Sequence, residues 1–190
     1  MLLHKTMTPR IWFKRVLVGA LLLIWALALA WAVWWYQGQY LKAFERPVFF
    51  SAESVAPPFE PGQVQVLHVW QAGCPCNGGH QVYVDEMIQR FSAEGVQFAR
   101  SGQSAAVALP DALQALPFWP MPQAWDGWPG APSVAIWDTA GKLAYVGPYS
   151  DGAQCSQDSS FIEPVISALL AGRQVAILNQ DTVSCLCDIQ

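Results

Sequence analysis

The first regularity along the chain is an uninterrupted apolar run. From Val16 to Tyr36 the residues VLVGALLLIWALALAWAVWWY carry no charge. At 1.5 Å rise per residue, a helix of that length spans the roughly 30 Å hydrocarbon core of a bilayer. Trp34, Trp35 and Tyr36 close the run and Trp12 precedes it, where amphipathic rings favour the membrane interface. A cleaved signal peptide is the competing reading, since Ala26-Leu27-Ala28 and Ala28-Leu29-Ala30 have the small-x-small form of a cleavage site. The run continues past both, which favours an uncleaved anchor over residues 16–36.

Beyond the anchor the periods shorten. Residues 37–60 read as a linker, with Arg46-Pro47 and Pro57-Pro58 as breakers and Val48-Phe49-Phe50 as a short edge strand. Val64–Trp70 is β-branched and apolar, the composition of a buried strand. Val84, Met87, Ile88 and Phe91 recur at helical spacing and predict a helix that Gly95 ends. Val96–Ala99 follows as a strand, so a parallel pair with a right-handed crossover is expected. Asp111–Leu116 predicts a short helix, after which PFWPMPQAWDGWPG is too rich in proline for regular structure. Within it Trp119, Trp125 and Trp128 either cap the core or border a groove for extended polypeptide. Ser133–Trp137 and Lys142–Gly147 form a hairpin about Asp138-Thr139-Ala140-Gly141. A final amphipathic helix covers Phe161–Leu170, with Pro164 tolerated in its first turn and Gly172 closing it. The domain thus spans 61–172 in the order β-α-β-(α)-β-β-α, and residues 173–190 are a cysteine-containing tail.

Charge sharpens this division. Six of the ten basic residues lie in the first 46 positions, and the remaining four face 13 acids in residues 47–190. A nucleic-acid partner needs a basic face, which this half lacks. Lys5, Arg10, Lys14 and Arg15 precede the anchor while only Lys42 and Arg46 closely follow it. By the positive-inside rule residues 1–15 are cytoplasmic and the domain is exported, in bacterial terms into the periplasm. With 53% hydrophobic and 13% charged residues the chain is no disordered protein. Neither a Ser-His-Asp grouping, a phosphate-cradling glycine loop nor an H-E-x-x-H motif is present, so hydrolase and kinase chemistry have no residues to rest on.

All five cysteines fall in the exported part: Cys74, Cys76, Cys155, Cys185 and Cys187. Four form two C-x-C doublets, and the odd total leaves one sulfur without a partner in the same chain. The first doublet stands between the first main strand and helix, in VQVLHVWQAGCPC. Together with the proline of Gly130-Ala131-Pro132-Ser133-Val134 and the hairpin WDTAGKLAYVG, this resembles the thioredoxin-like fold, a central mixed sheet flanked by helices. The nearest likeness is to membrane-anchored periplasmic thioredoxin-like proteins, many without an assigned role. That resemblance implies redox-active cysteines at Cys74 and Cys76, and a cis proline at Pro132 beside them. It departs from the family in spacing, for Cys74-Pro75-Cys76 replaces C-x-x-C and Asn77 stands at the usual resolving position.

Three chemistries suit the first doublet. A thiol at a helix N-terminus is favoured as thiolate, so Cys74 is the candidate nucleophile and Cys76 the resolving thiol in exchange with exported protein thiols or disulfides. No cofactor is needed for that. The alternative is a copper or zinc site of Cys74, Cys76 and His80, since Cys76 and His80 are four residues apart and soft thiolates suit such ions. His68 is the other exported histidine, and a histidine buried in the core is the blander reading of His80. A non-catalytic module is the third, with Cys74 and Cys76 bridging to Cys155, Cys185 or Cys187. For Cys155, Cys185 and Cys187 themselves a structural bridge from Cys155 to the tail is the expectation, or else a tail dithiol that relays electrons to Cys74.

Overall fold

A computed structural model describes residues 9–45, 56–102, 109, 111–121, 125, 128–178 and 182–189. The chain divides into two units, Met1–Gln39 and Tyr40–Gln190. The first is built by α1 (Pro9–Tyr40), and its stretch Trp12–Tyr40 is long and apolar enough to cross a membrane. The helix outruns the expected span because proline stands only at its first position, where no backbone N–H is missed.

The second unit runs β1 (Leu41–Ala43), β2 (Gln65–Trp70), a short 3-10 turn (Pro75–Gly79), α2 (Gln81–Ala93), β3 (Gln97–Gly102) and α3 (Asp111–Gln114). It continues with β4 (Ser133–Trp137), β5 (Leu143–Gly147), α4 (Ile162–Leu170), β6 (Ile177–Leu178) and β7 (Val183–Cys185). Five strands make one sheet in the order β3-β2-β4-β5-β6, while β1 and β7 form a separate antiparallel pair. β2 and β3 are parallel, as the strand-helix-strand pattern requires. β4 lies antiparallel to both β2 and β5. Asp138 Oδ1 holds the β4–β5 turn by accepting from the amides of Ala140 and Lys142 at 2.9 and 2.8 Å.

Alternation along the strands loads both faces of the sheet. Val66, Trp70, Val134 and Ile136 face α2 and α4, joining Val84, Met87, Phe91, Val165 and Ile166. Leu67, Val69, Ala135 and Trp137 face the other way, toward Trp125, Trp128, Phe44 and Leu186. Among the described residues, α2, α3 and α4 contribute nothing to this second cluster. Trp125 instead stacks on Trp137 with centroids 6.0 Å apart, and Trp119 and Trp128 pack edge-on or tilted beside it. The tryptophans therefore act as the cap, not as the border of an open groove.

Two expectations change. Leu41–Ala43 and Phe44 fall within the expected linker, yet β1 pairs with β7 in the register Leu41↔Cys185, and Phe44 is buried against Trp128. The tail is likewise no loose extension, since it supplies β6, β7 and the buried Leu186. The predicted strand Val48-Phe49-Phe50 lies outside the described residues.

Candidate functional site

β2 delivers the first cysteine doublet. After Trp70 the chain reverses through Gln71–Gly73, a turn that needs Gly73 because its φ is +76°. The Cys74 amide closes that turn on the Gln71 carbonyl at 3.3 Å, and Asn77 Nδ2 donates to the same oxygen at 2.9 Å. Pro75 then opens the 3-10 turn from its first position, where the absent N–H costs nothing. Cys74 therefore precedes a five-residue turn, and α2 begins only after His80. The expected placement at the mouth of the long helix does not hold. The proline and the Gly78-Gly79 pair impose a tighter coil first.

Both cysteines of the doublet are joined to the tail. Cys74 bonds Cys187 with Cα atoms 5.9 Å apart, and Cys76 bonds Cys185 at 5.4 Å. Cys74 is thus neither uncovered nor a free thiol, with 7% of its surface exposed. Cys76 and Cys185 are buried, and the half-buried Cys187 is the most exposed of the four cysteines. The sulfurs of Cys74, Cys76 and Cys187 all lie within 4.8 Å of one another. The two bonds form one contiguous cluster.

Cys155 takes no part. The expected bridge from it to the tail is absent, and it is the one free thiol. The reason is local. The tail meets the 150–155 loop three residues earlier, where Gly152 donates to Val183 O at 2.9 Å and accepts from the Cys185 amide at 2.8 Å. Cys155 is turned to the opposite side of the sheet, beside the α2–α4 core, and its own amide donates to Gly79 O at 3.0 Å. Burial pushes its thiol up to about 12, so it stays protonated and unreactive at neutral pH.

Main-chain pairing sets the tail. The amide of Cys187 donates to Ala131 O at 2.7 Å, and the amide of Ala131 donates to Cys187 O at 2.9 Å. Leu186 donates to Tyr40 O at 2.8 Å, Ser184 Oγ donates to Ser150 O, and Lys42 pairs with Asp188 at 2.8 Å. Pro132 follows Ala131 through a cis peptide and is buried. The Cys74 sulfur sits 3.7 Å from the Ala131 carbonyl oxygen. Trp128 braces this loop, its indole N–H donating to Ser133 Oγ at 2.7 Å and to Gly130 O at 3.0 Å. Pro132 and the first doublet are therefore together, with the tail strand laid against the residue before the proline. In the sequence the motif Gly130-Ala131-Pro132 holds Ala131 but points to its proline, and the signal for Leu186 is that Cys185-Leu186-Cys187 repeats the spacing of Cys74-Pro75-Cys76.

His68 and His80 are buried and neutral. His80 Nδ1 bonds the Cys76 carbonyl at 2.9 Å, and its ring leans on Tyr149. It does not join the sulfur cluster, and desolvation lowers its pKa. His68 stacks between Phe98 and Tyr149, bonds the Tyr149 hydroxyl, and is pushed down to about 3 by burial.

A mixed sheet with a parallel β2–β3 crossover, an antiparallel β4–β5 hairpin, helices α2 and α4 and a cis proline opening β4 defines the thioredoxin-like fold. Within it, residues 46–189 match the family described as domain of unknown function DUF6436, and the chain belongs to that family. No curated protein matches it. An uncharacterized conserved protein from Geobacillus kaustophilus is 17% identical with TM-score 0.52, over 80% of this chain and 91% of its own. A hypothetical protein from Sinorhizobium meliloti is 13% identical with TM-score 0.51, over 78% and 94%. A thiol-disulfide isomerase from Corynebacterium glutamicum is 20% identical over 70% and 93%, at TM-score 0.43. Likeness at these identities concerns the fold alone.

Proposed function

We propose that this chain is a membrane-tethered thiol–disulfide exchange protein acting on exported proteins, with Cys74–Cys187 as its reactive bond. The observation that carries this reading is the three-sulfur cluster of Cys74, Cys76 and Cys187 within 4.8 Å. Exchange proceeds by attack of a thiolate on one sulfur of a disulfide, so a second bond within reach of the leaving thiolate allows electrons to pass on. A partner thiolate attacks Cys187, the most exposed of the four cysteines. The Cys74–Cys187 bond breaks, a partner–Cys187 disulfide forms, and Cys74 leaves as thiolate. The partner's second thiolate then attacks its own bonded sulfur and releases Cys187 as a thiolate that takes a proton from solvent. The partner dithiol is oxidised and the chain gains two electrons. Cys74 next attacks Cys76 and displaces Cys185, which moves the remaining bond to the first doublet and frees the tail dithiol.

The nested pairing suits this cycle. Closing a loop of about a hundred residues stabilises a chain by roughly 4.7 kcal/mol in the chain-entropy model. The bridges span 113 and 109 residues, but once one is closed the other closes only the small ring between the doublets. Opening Cys74–Cys187 therefore leaves most of that stabilisation in place. Anchoring by α1, with residues 1–15 in the cytoplasm and the domain in the periplasm, is the topology its flanking charges support.

Trapping in cells tests the reading. With Cys74 changed to Ser, Cys187 loses its partner in the outer bond, and mixed disulfides between Cys187 and exported proteins should accumulate. Their absence, with the variant folded and present in the membrane, would refute exchange through the outer bond.

A further inference from the structure

In its disulfide-bonded form the cluster holds no ligand capacity, but the same placement has a second consequence when both bonds are opened. Cys74 and Cys76 come from the β2–α2 loop, Cys187 and Cys185 from the tail, and the backbone on each side is fixed independently of the sulfurs. The first doublet is held by the Gln71–Cys74 turn and the Asn77 bond. The second is held by the Cys187–Ala131 and Cys185–Gly152 main-chain bonds, by the β1–β7 pairing and by the buried Leu186. Reduction would thus leave Cys74, Cys76 and Cys187 as three thiols within reach of one another, with Cys185 outside that group but next to Cys76, to which it was bonded.

We infer that the reduced chain carries a site for one thiophilic closed-shell ion, Zn(II) or Cu(I), bound by Cys74, Cys76 and Cys187 with Cys185 completing a tetrahedral set for zinc. Thiolate sulfurs about 2.3 Å from zinc lie roughly 3.8 Å from each other in a tetrahedron, so Cys74 and Cys187 part once their bond is opened, and Cys76 already lies within 4.8 Å of both. Three thiolates alone satisfy Cu(I), for which soft sulfur ligands select. The site is enclosed, as structural metal centres are, and the half-buried Cys187 gives it one open side. His80 is excluded from the set, since its Nδ1 is committed to the Cys76 carbonyl and neither ring nitrogen lies in the sulfur group. The ligand set therefore differs from the Cys74, Cys76 and His80 combination that spacing suggests.

The balance is simple. Two equivalents of a dithiol reductant are each oxidised to a disulfide, and each delivers two electrons and two protons to one bridge. Binding of the ion then displaces the thiol protons to solvent, so affinity rises with pH. The exchange reading supplies the physiological route to the reduced state. Chemical reduction supplies it equally well, so the inference can fail while exchange stands, and the reverse.

The experiment uses the full chain in detergent, reduced anaerobically with a phosphine and offered one equivalent of Zn(II) or of Cu(I). Retained metal is counted after gel filtration, and the first shell is read by X-ray absorption. The inference predicts one ion per chain, a sulfur-only shell, unchanged binding in His80→Ala and Cys155→Ser, and affinity at least about tenfold weaker in Cys187→Ser. Cys185→Ser separates the two ions, because zinc loses its fourth sulfur while Cu(I) keeps three. Should neither ion be retained by the reduced wild-type chain, or should the shell contain nitrogen, the proposed site is wrong. Binding that persists at full strength in Cys187→Ser overturns it as well.

Discussion

Single side chains carry the clearest consequences. His68 is neutral in the folded chain until about pH 3, whereas in the unfolded chain it takes up a proton near its ordinary value of 6.5. Between those values the unfolded state binds more protons, so stability falls as pH drops through this window, by up to about 1.4 kcal/mol per unit. Urea titrations from pH 7 to pH 4 should show that slope, and His68→Gln should flatten it. His80, lowered in the same direction, adds to it. Leu186 is fully buried between Phe44, Trp128 and Ala131, and its truncation to Ala should cost about 2–5 kcal/mol. A loss under 1 kcal/mol, measured by denaturation, would mean the tail is not seated as described. The cysteine doublet itself was legible at this scale, since Cys74-Pro75-Cys76 follows a buried strand. Leu186 was not, because apolar residues are scattered along the tail and no periodicity there marks this one for burial.

Among the elements, those with a clear composition or period matched their sequence. β2 and β4 follow from their apolar, β-branched runs, and α2 from the helical spacing of Val84, Met87, Ile88 and Phe91. β1 and β7 are three residues each and are made by their mutual pairing, a long-range contact that no local pattern encodes. The 3-10 turn is similar. Its Gly79 is required because a Cβ there would collide with the Ala153 carbonyl oxygen, so the 150–155 loop packs directly on the turn. Gly79→Ala must therefore push the loop away from the doublet and loosen the Gly152–Cys185 bond beyond it. A destabilisation of roughly 1–3 kcal/mol is expected, together with faster amide exchange at Cys185. An unperturbed Cys185 amide in that variant would show that loop and tail are not coupled.

At the scale of the whole molecule, the four bridged cysteines lie far apart in sequence and together in space. One doublet lies at the start of the domain, the other at its end, and the sheet brings them together across more than a hundred residues. The pairing itself lay beyond sequence reading, since five cysteines permit many connectivities and Cys155 seemed equally placed for a bridge. Nesting makes the two bonds unequal in their structural weight. Cys187→Ser should lower stability by only about 1 kcal/mol, whereas changing Cys185 and Cys187 together should cost about 4 kcal/mol or more, a non-additivity that denaturation of the variants would reveal. The most direct measurement is a redox titration of the full chain, with mass-spectrometric mapping of which sulfurs are joined at each potential. Exchange through the outer bond predicts Cys74–Cys187 and Cys76–Cys185 in the oxidised protein, with Cys187 the first sulfur to become reactive and a Cys74–Cys76 bond appearing at intermediate potentials. A chain in which Cys74 and Cys187 remain joined until the domain unfolds would contradict it, leaving two bridges that only fasten the tail.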